Sequence, residues 1–117
     1  MIIRYLFRKI SFLIIAALFL LTGASTEKTL PVVHLNGRNY ILLDDIITSF
    51  SMENSFDPVF QKGRLYYKSH YMVYKTGYSC VILDNTVAGS EYPVIRWKGG
   101  IYLPLNLAET LIETFYN

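Results

Sequence analysis

One short segment of the chain interleaves cationic side chains with aromatic rings. Between Arg64 and Lys75, the side chains Arg64, Lys68, His70 and Lys75 are interleaved with Tyr66, Tyr67, Tyr71 and Tyr74. The candidate binding residues among them are Arg64, Tyr66, Lys68, His70, Tyr71 and Lys75. Tyrosine rings stack on flat groups such as sugar rings, and neighbouring cations pair with the charges of an anionic polymer. The segment therefore predicts a ligand-binding surface. The alternative is a structural pair of strands in which the rings pack on one face and the cations are solvated on the other.

Residue types that support catalysis or metal binding are few and scattered. The two histidines, His34 and His70, occur in no HxH or HExxH pattern, and Cys80 is the only cysteine. A metal site needs several ligands of these types close together. The neighbouring Asp44 and Asp45 fit the start of a helix, where carboxylates complement the helix dipole. We therefore predict no catalytic residue, no metal and no cofactor.

The charge of the chain is concentrated at its amino terminus. The 117 residues hold 11 Lys and Arg against 9 Asp and Glu, and three of the bases precede the first acid, Glu27. Beyond residue 25 the chain carries eight bases and nine acids, which is one net negative charge. A nucleic-acid-binding domain usually shows a basic surplus in its folded part. We therefore predict no nucleic-acid partner.

The amino terminus has the layout of a secretory signal peptide. A basic start to Lys9 precedes the apolar residues 10–21, and small residues surround Ala24. This order predicts a signal peptide over residues 1–25 that is cleaved after Ala24 or Ser25, followed by a linker over residues 26–30. The alternative is an uncleaved signal anchor, because the uncharged residues 10–26 approach the length that crosses a bilayer. Both interpretations predict export to the periplasm or beyond, with membrane contact only through an uncleaved leader.

An internal repeat organises the rest of the chain. Residues 31–50 align without a gap with residues 93–112, and six of the twenty pairs are identical. Each copy predicts a strand, a tight turn, a strand and a helix, because Asn36-Gly37 and Lys98-Gly99-Gly100 are turn sequences flanked by apolar runs. The chain is therefore predicted to be an α+β domain over residues 31–117. It would consist of antiparallel hairpins and two short helices in two similar halves, preceded by the signal-peptide helix.

Helix boundaries and the core follow from residue type and spacing. Asp44 is predicted to cap the first helix, and Asn106 with Glu109 to form a capping box on the second. The residues predicted to be buried together are Leu43, Ile46, Phe50, Leu105, Ala108, Leu111 and Ile112. Between the copies, further strands are predicted over residues 64–68, 71–75 and 80–83, with turns at Asp57-Pro58 and at Lys62-Gly63.

These residues also resemble a known family. The resemblance is carried by Asn36-Gly37-Arg38-Asn39-Tyr40-Ile41, Phe56-Asp57-Pro58, Lys75-Thr76-Gly77, Pro93-Val94-Ile95 and Gly99-Gly100-Ile101-Tyr102-Leu103-Pro104-Leu105. They resemble the copper amine oxidase-like N-terminal domain, which accompanies bacterial N-acetylmuramoyl-L-alanine amidases and other exported proteins. The resemblance implies an accessory module and not the oxidase catalytic domain, so it implies no copper.

Together these features predict a non-catalytic exported domain that acts as a binding or positioning module at the bacterial cell envelope. The expected partner is peptidoglycan or a cell-wall hydrolase. One alternative is an amino-terminal remnant or subunit of a cell-wall N-acetylmuramoyl-L-alanine amidase, because the chain ends directly after the second predicted helix. The other is a small unrecognised enzyme or enzyme regulator that uses Asp44, Asp45, His70 or Cys80.

Overall fold

The computed structural model describes residues 29–116, so the predicted signal peptide lies outside the described residues. The folded elements belong to one unit that begins at Val32. In chain order they are β1 (Val32–Leu35), β2 (Arg38–Leu42), α1 (Leu43–Phe50), β3 (Glu53–Asp57), β4 (Lys62–Tyr67), β5 (His70–Lys75), β6 (Cys80–Leu83), β7 (Thr86–Gly89), β8 (Ile95–Trp97), β9 (Gly100–Pro104) and α2 (Leu105–Tyr116). Within residues 29–116, neither helix is long and apolar enough to cross a membrane.

The strands form two antiparallel sheets. The four-stranded sheet has the order β1-β2-β9-β8, and the five-stranded sheet has the order β3-β4-β5-β6-β7. The two repeat hairpins build the first sheet, whereas the segment between the repeats folds as a meander in which consecutive strands are neighbours. The predicted α+β class, with antiparallel hairpins and two short helices, is confirmed.

The two halves of the four-stranded sheet are related by a local two-fold axis. The central register pairs are Tyr40 with Pro104, Ile41 with Leu103, and Leu42 with Tyr102. Ile41 and Leu103 occupy equivalent positions in the two copies. In the repeat, Tyr40 is equivalent to Tyr102 and Leu42 to Pro104. The pair of Tyr40 with Pro104 is therefore equivalent to the pair of Tyr102 with Leu42, and the register is the same when the copies are exchanged. The sequence repeat is therefore a structural symmetry that centres on β2 and β9.

Both repeat hairpins close through two-residue turns with positive φ. The angles are 55° at Asn36 and 75° at Gly37, and 50° at Lys98 and 82° at Gly99. These are the backbone angles of a type I′ turn, whose twist matches that of the flanking strands. The turn predicted from Asn36-Gly37 is confirmed, and Lys98 takes the left-handed position of Asn36 in the second copy.

The predicted cap of the first helix is wrong. α1 begins at Leu43, and Leu42 occupies the N-cap position without a side-chain hydrogen bond. Asp44 and Asp45 instead lie in the first turn, near the positive end of the helix dipole. Burial, together with the charge of Asp44, raises the pKa of Asp45. The helix follows β2 directly, so the N-cap position is occupied by a strand residue and not by a loop residue with a capping side chain.

The predicted capping box of the second helix is also wrong, for the same reason. α2 follows β9 without a loop and begins at Leu105, which places Asn106 inside the helix. The Asn106 side chain accepts a hydrogen bond from Ser90 Oγ at 2.8 Å and donates one to Gly89 O at 3.2 Å. Asn106 therefore connects the helix to the segment after β7.

The turn predicted at Lys62-Gly63 is wrong, because both residues lie in β4. Asp57 and Lys62 are the last register pair of β3 and β4, and the four residues between them connect the two strands. Asp57 Oδ1 accepts hydrogen bonds from the amides of Val59 and Phe60. This arrangement is an Asx-type turn, in which a side chain replaces a backbone acceptor.

The core lies where α2 packs against both sheets. α2 contacts β2 and β9 of the first sheet and β5, β6 and β7 of the second. Its buried residues are Leu107, Ala108, Leu111 and Phe115. Of the predicted core set, Leu43, Ile46, Ala108 and Leu111 are buried, whereas Phe50, Leu105 and Ile112 are only half-buried. Leu107 was not in the predicted set, and it is buried because α2 contacts two sheets rather than one.

Candidate functional site

One face of the five-stranded sheet is covered by α2 and the other faces solvent. Along β4 the burial alternates: Gly63 and Leu65 are buried, whereas Lys62, Arg64 and Tyr66 are exposed. This alternation follows from the two-residue period of a strand. The outward residues, called the outer face below, are Glu53, Ser55, Asp57, Lys62, Arg64, Tyr66, Tyr71, Val73, Lys75, Ile82 and Val87.

The outer face brings rings and cations together on β4 and β5. The cross-strand pairs are Tyr66 with Tyr71, Arg64 with Val73, and Lys62 with Lys75. Neighbouring strands lie about 4.8 Å apart, and alternate residues along a strand about 6.8 Å apart. Tyr66 and Tyr71 are therefore direct cross-strand neighbours, and Arg64 lies one step along the face from them. The alternative, in which rings pack on one face and cations are solvated on the other, holds in part. Tyr74 is buried on the inner face, and Tyr67 stacks there on Phe115. Tyr66 and Tyr71 instead share the outer face with Arg64.

The two tyrosines of this face differ in exposure and in hydrogen bonding. Tyr66 is 41 % exposed. Tyr71 is half-buried, and its hydroxyl donates a hydrogen bond to Asn85 Oδ1 at 2.6 Å, which holds its ring. The pair therefore offers one anchored ring and one more accessible ring to a flat ligand.

The outer face changes from polar to aliphatic across the sheet. One register row crosses all five strands and consists of Ser55, Arg64, Val73, Ile82 and Val87. Ile82 is 39 % exposed and Val87 is 68 % exposed. An exposed apolar stripe bordered by polar residues is typical of an interaction surface. Sequence reasoning did not identify Ile82 and Val87 as surface residues. Ile82 lies in the predicted strand over residues 80–83, whereas Val87 lies in β7, which was not predicted.

Charge on the outer face is unevenly compensated. Lys62 has the carboxylate of Asp57 as its cross-strand neighbour on β3. Arg64 has the uncharged neighbours Ser55 and Val73 on its two sides. Arg64 therefore has no carboxylate as a direct cross-strand neighbour, although Glu53 and Asp57 lie diagonal to it on β3, and it can pair with an incoming anion.

Two of the six predicted residues lie away from this face. Lys68 is in the turn between β4 and β5, with φ of 55° and its Nζ 5.2 Å from the ring centroid of Tyr67. His70 points to the opposite side of the sheet, where its ring stacks on Phe115 with centroids 5.4 Å apart. The structure thus unites Arg64, Tyr66, Tyr71 and Lys75 and separates Lys68 and His70 from them.

His70 belongs to a polar link at the edge of the core. Its Nδ1 lies 2.6 Å from Asp84 Oδ2, and Asp84 Oδ1 accepts a hydrogen bond from the Tyr71 amide at 2.8 Å. Partial burial acts to raise the pKa of Asp84, but the hydrogen bonds from His70 and Tyr71 hold it below its ordinary value. A carboxylate that orients an imidazole also occurs in hydrolytic triads. Here the imidazole is stacked on Phe115, and the pair connects the turn after β6 to α2.

The lowered pKa of Asp84 predicts an acid-sensitive contribution to stability. We expect Asp84→Asn to lower the free energy of unfolding at about pH 5.5, well above the ordinary carboxyl pKa of about 3.9. The loss should disappear as the pH falls through the lower folded-state pKa, because the wild-type carboxylate is then protonated as well. Asparagine also tolerates the left-handed φ of 48° at this position. Urea denaturation at about pH 5.5 and pH 2.5 measures both differences. A difference that does not change with pH would contradict the assignment.

A second aromatic cluster joins the ends of the two helices. The Tyr67 ring lies 4.7 Å from the ring of Tyr116, whose hydroxyl donates to Phe50 O at 3.1 Å. The hydrogen bond with Tyr116 lowers the pKa of Tyr67, whereas burial and that same bond raise the pKa of Tyr116. These contacts hold the end of α2 against the end of α1, so we assign them to the fold.

The residues of the enzyme alternative lie on three different elements. Asp44 and Asp45 are on α1, His70 is on β5, and Cys80 is an exposed free thiol at the start of β6. Among residues 29–116, no group of three or more His, Cys, Asp or Glu side chains could hold a metal ion. The outer face is therefore the candidate site that the geometry builds best.

No protein-family model and no curated protein matches this chain. The similarity to the copper amine oxidase-like N-terminal domain therefore stays a prediction from the quoted segments.

Proposed function

We propose that this chain is a non-catalytic binding module of the bacterial cell envelope that attaches to peptidoglycan through the outer face. The observation that carries the proposal is the cross-strand pair of Tyr66 and Tyr71, with Arg64 one step along the same face of β4. The module would position cell-wall processing at its substrate, and the reaction itself would belong to a partner hydrolase.

The chemistry of the outer face suits a glycan that carries peptides. Tyrosine rings stack on the apolar faces of sugar rings. The Arg64 guanidinium and the Lys75 ammonium pair with the carboxylates of the peptides, and the exposed Ile82 and Val87 can contact apolar groups beside them. Because the rings and Arg64 lie on neighbouring paired strands, little ordering is required on binding.

The amino-terminal sequence supports an envelope location. The basic start, the apolar residues 10–21 and the small residues around Ala24 are typical of an exported chain. The nearly neutral composition beyond residue 25 disfavours nucleic acid as the anionic polymer. The predicted resemblance to an accessory module of amidases points in the same direction.

Co-sedimentation of the protein with purified peptidoglycan tests the proposal. We expect saturable binding that Tyr66→Ala and Arg64→Gln each weaken by about fivefold or more, the effect of losing about 1 kcal/mol at a central contact. Increasing salt should weaken the wild type more than Arg64→Gln, because the arginine supplies part of the electrostatic attraction. Trp97→Ala is the matched control, since this ring is 42 % exposed on the four-stranded sheet beside Lys98.

Two results would contradict the proposal. Equal binding of wild type, Tyr66→Ala and Arg64→Gln would exclude the outer face as the binding surface. Release of peptide from the glycan by the purified protein, abolished by His70→Ala, would show an enzyme and overturn the non-catalytic assignment.

A further inference from the structure

A second candidate site lies in the repeat half of the fold, where the start of β2 meets the start of α2. A cleft of about 450 Å³ opens there, and its lining includes Arg38, Asn39, Glu91, Tyr92 and Glu109. This volume falls within the range of small-molecule sites. Its lining includes one guanidinium, two carboxylates and two side-chain amides. Such a set can bind positive and negative groups of one ligand at the same time.

Arg38 is held in a geometry suited to a carboxylate. Its Cζ lies 4.4 Å from the ring centroid of Tyr92, so the guanidinium stacks against the aromatic ring. Stacking engages the face of the guanidinium and leaves its N–H edge available for a two-pronged contact with a carboxylate. The ring thus orients the arginine before any ligand arrives.

The segment that carries Tyr92 is fixed to the helix. The Tyr92 amide donates to Ser90 Oγ at 3.2 Å, and Ser90 Oγ donates to Asn106 Oδ1 at 2.8 Å. Asn106 Nδ2 in turn donates to Gly89 O at 3.2 Å. This hydrogen-bond chain joins one wall of the cleft to the first turn of α2. A wall that is ordered beforehand reduces the entropy lost on binding.

The internal repeat shows what the fold requires at these positions. In the second copy, Gly100 occupies the position of Arg38 and Ile101 that of Asn39. In the first copy, Ile47 occupies the position of Glu109. The same strand, turn and helix framework therefore forms with glycine and isoleucine in place of the polar lining. Arg38 and Asn39 have no polar counterpart in the second copy and Glu109 has none in the first, so the shared framework does not require these polar residues.

We propose that this cleft binds a short peptide with a free amino and a free carboxyl end. Arg38 pairs with the peptide carboxylate, and Glu91 and Glu109 receive the ammonium group. Glu109 is half-buried, where an ion pair is screened less than at a fully exposed position. Two carboxylates against one guanidinium give the lining a negative excess, which disfavours a ligand that carries only negative charge. This site is separate from the outer face and does not depend on the function proposed for that face.

Isothermal titration of the full-length protein with glycylglycine tests this site. N-acetyl-glycylglycine lacks the ammonium group and glycylglycine amide lacks the carboxylate, so each isolates one end of the ligand. We expect saturable binding of glycylglycine and at least tenfold weaker binding of each blocked peptide. Arg38→Gln should reproduce the loss seen with the amide, and Glu109→Gln the loss seen with the acetylated peptide. Unchanged urea midpoints of both variants show that the fold persists.

Arg96→Gln is the control, because this exposed arginine lies on β8, outside the cleft lining, and the substitution should leave glycylglycine binding unchanged. Arg38→Gln should leave peptidoglycan binding unchanged, so the two sites can fail separately. The proposal is overturned if glycylglycine shows no saturable binding, or if both blocked peptides bind as tightly as the free one. It is also overturned if Arg38→Gln binds glycylglycine like the wild type.

Discussion

Replacing Leu111 with alanine is expected to lower the free energy of unfolding by about 2 to 5 kcal/mol. Leu111 is completely buried, at 0 % exposure, on the face of α2 that packs against both sheets. The substitution removes apolar contacts and leaves a cavity, and the rigid strands around it can close that cavity only in part. Urea denaturation of wild type and variant measures the difference, provided that the free energy of unfolding depends equally on urea concentration in both.

The neighbouring Ile112 provides the control for this prediction. It lies on the same helix but is half-buried, so Ile112→Ala should cost clearly less than Leu111→Ala. A loss below about 0.5 kcal/mol for Leu111→Ala is the size expected at a surface position. Such a result would place α2 outside the core and contradict the packing of this helix between the two sheets.

Adding a single methyl group at Gly63 is expected to cost about 1 to 3 kcal/mol. A Cβ at this position would overlap the ring and hydroxyl of Tyr74, its cross-strand partner on β5. The ring cannot move away easily, because its hydroxyl donates to Asn54 Oδ1 at 2.9 Å and its face stacks on Phe56. Thermal or urea unfolding of Gly63→Ala measures the cost.

Gly89→Ala is the matched control, since it also adds a methyl group to a strand glycine. The nearest atom to a Cβ there is Ser79 O at 3.9 Å, an ordinary contact. Its effect should stay within about 0.5 kcal/mol. Gly63→Ala should also cost less in a Tyr74→Leu background, because the ring that obstructs the methyl group is absent. An equal cost in both backgrounds would show that the loss has another origin.

The local parts of the fold could be predicted because local rules determine them. Asn36-Gly37 predicted a left-handed turn, and the 62-residue repeat predicted two similar hairpins, each followed by a helix. Both outcomes depend on neighbouring residues, whose backbone preferences act wherever the segment lies in the fold. The strand over Cys80–Leu83 was located for the same reason.

The register of the β4–β5 hairpin depended on contacts that the local sequence does not contain. The predicted strands, residues 64–68 and 71–75, left residues 69 and 70 for the turn, whereas the structure places the turn at residues 68 and 69. His70 belongs to the strand because it pairs with Asp84 and stacks on Phe115, which is far away in the sequence. This difference moved Lys68 off the outer face.

Of the six predicted binding residues, Arg64, Tyr66, Tyr71 and Lys75 share the outer face, because strand alternation is a local property. Which face of the sheet is covered was decided only by where α2 packs. The cleft beside Arg38 likewise arises because β2 of the first copy lies against α2 of the second. Periodicity determines which residues point the same way, whereas long-range packing determines whether that side is buried or faces a ligand.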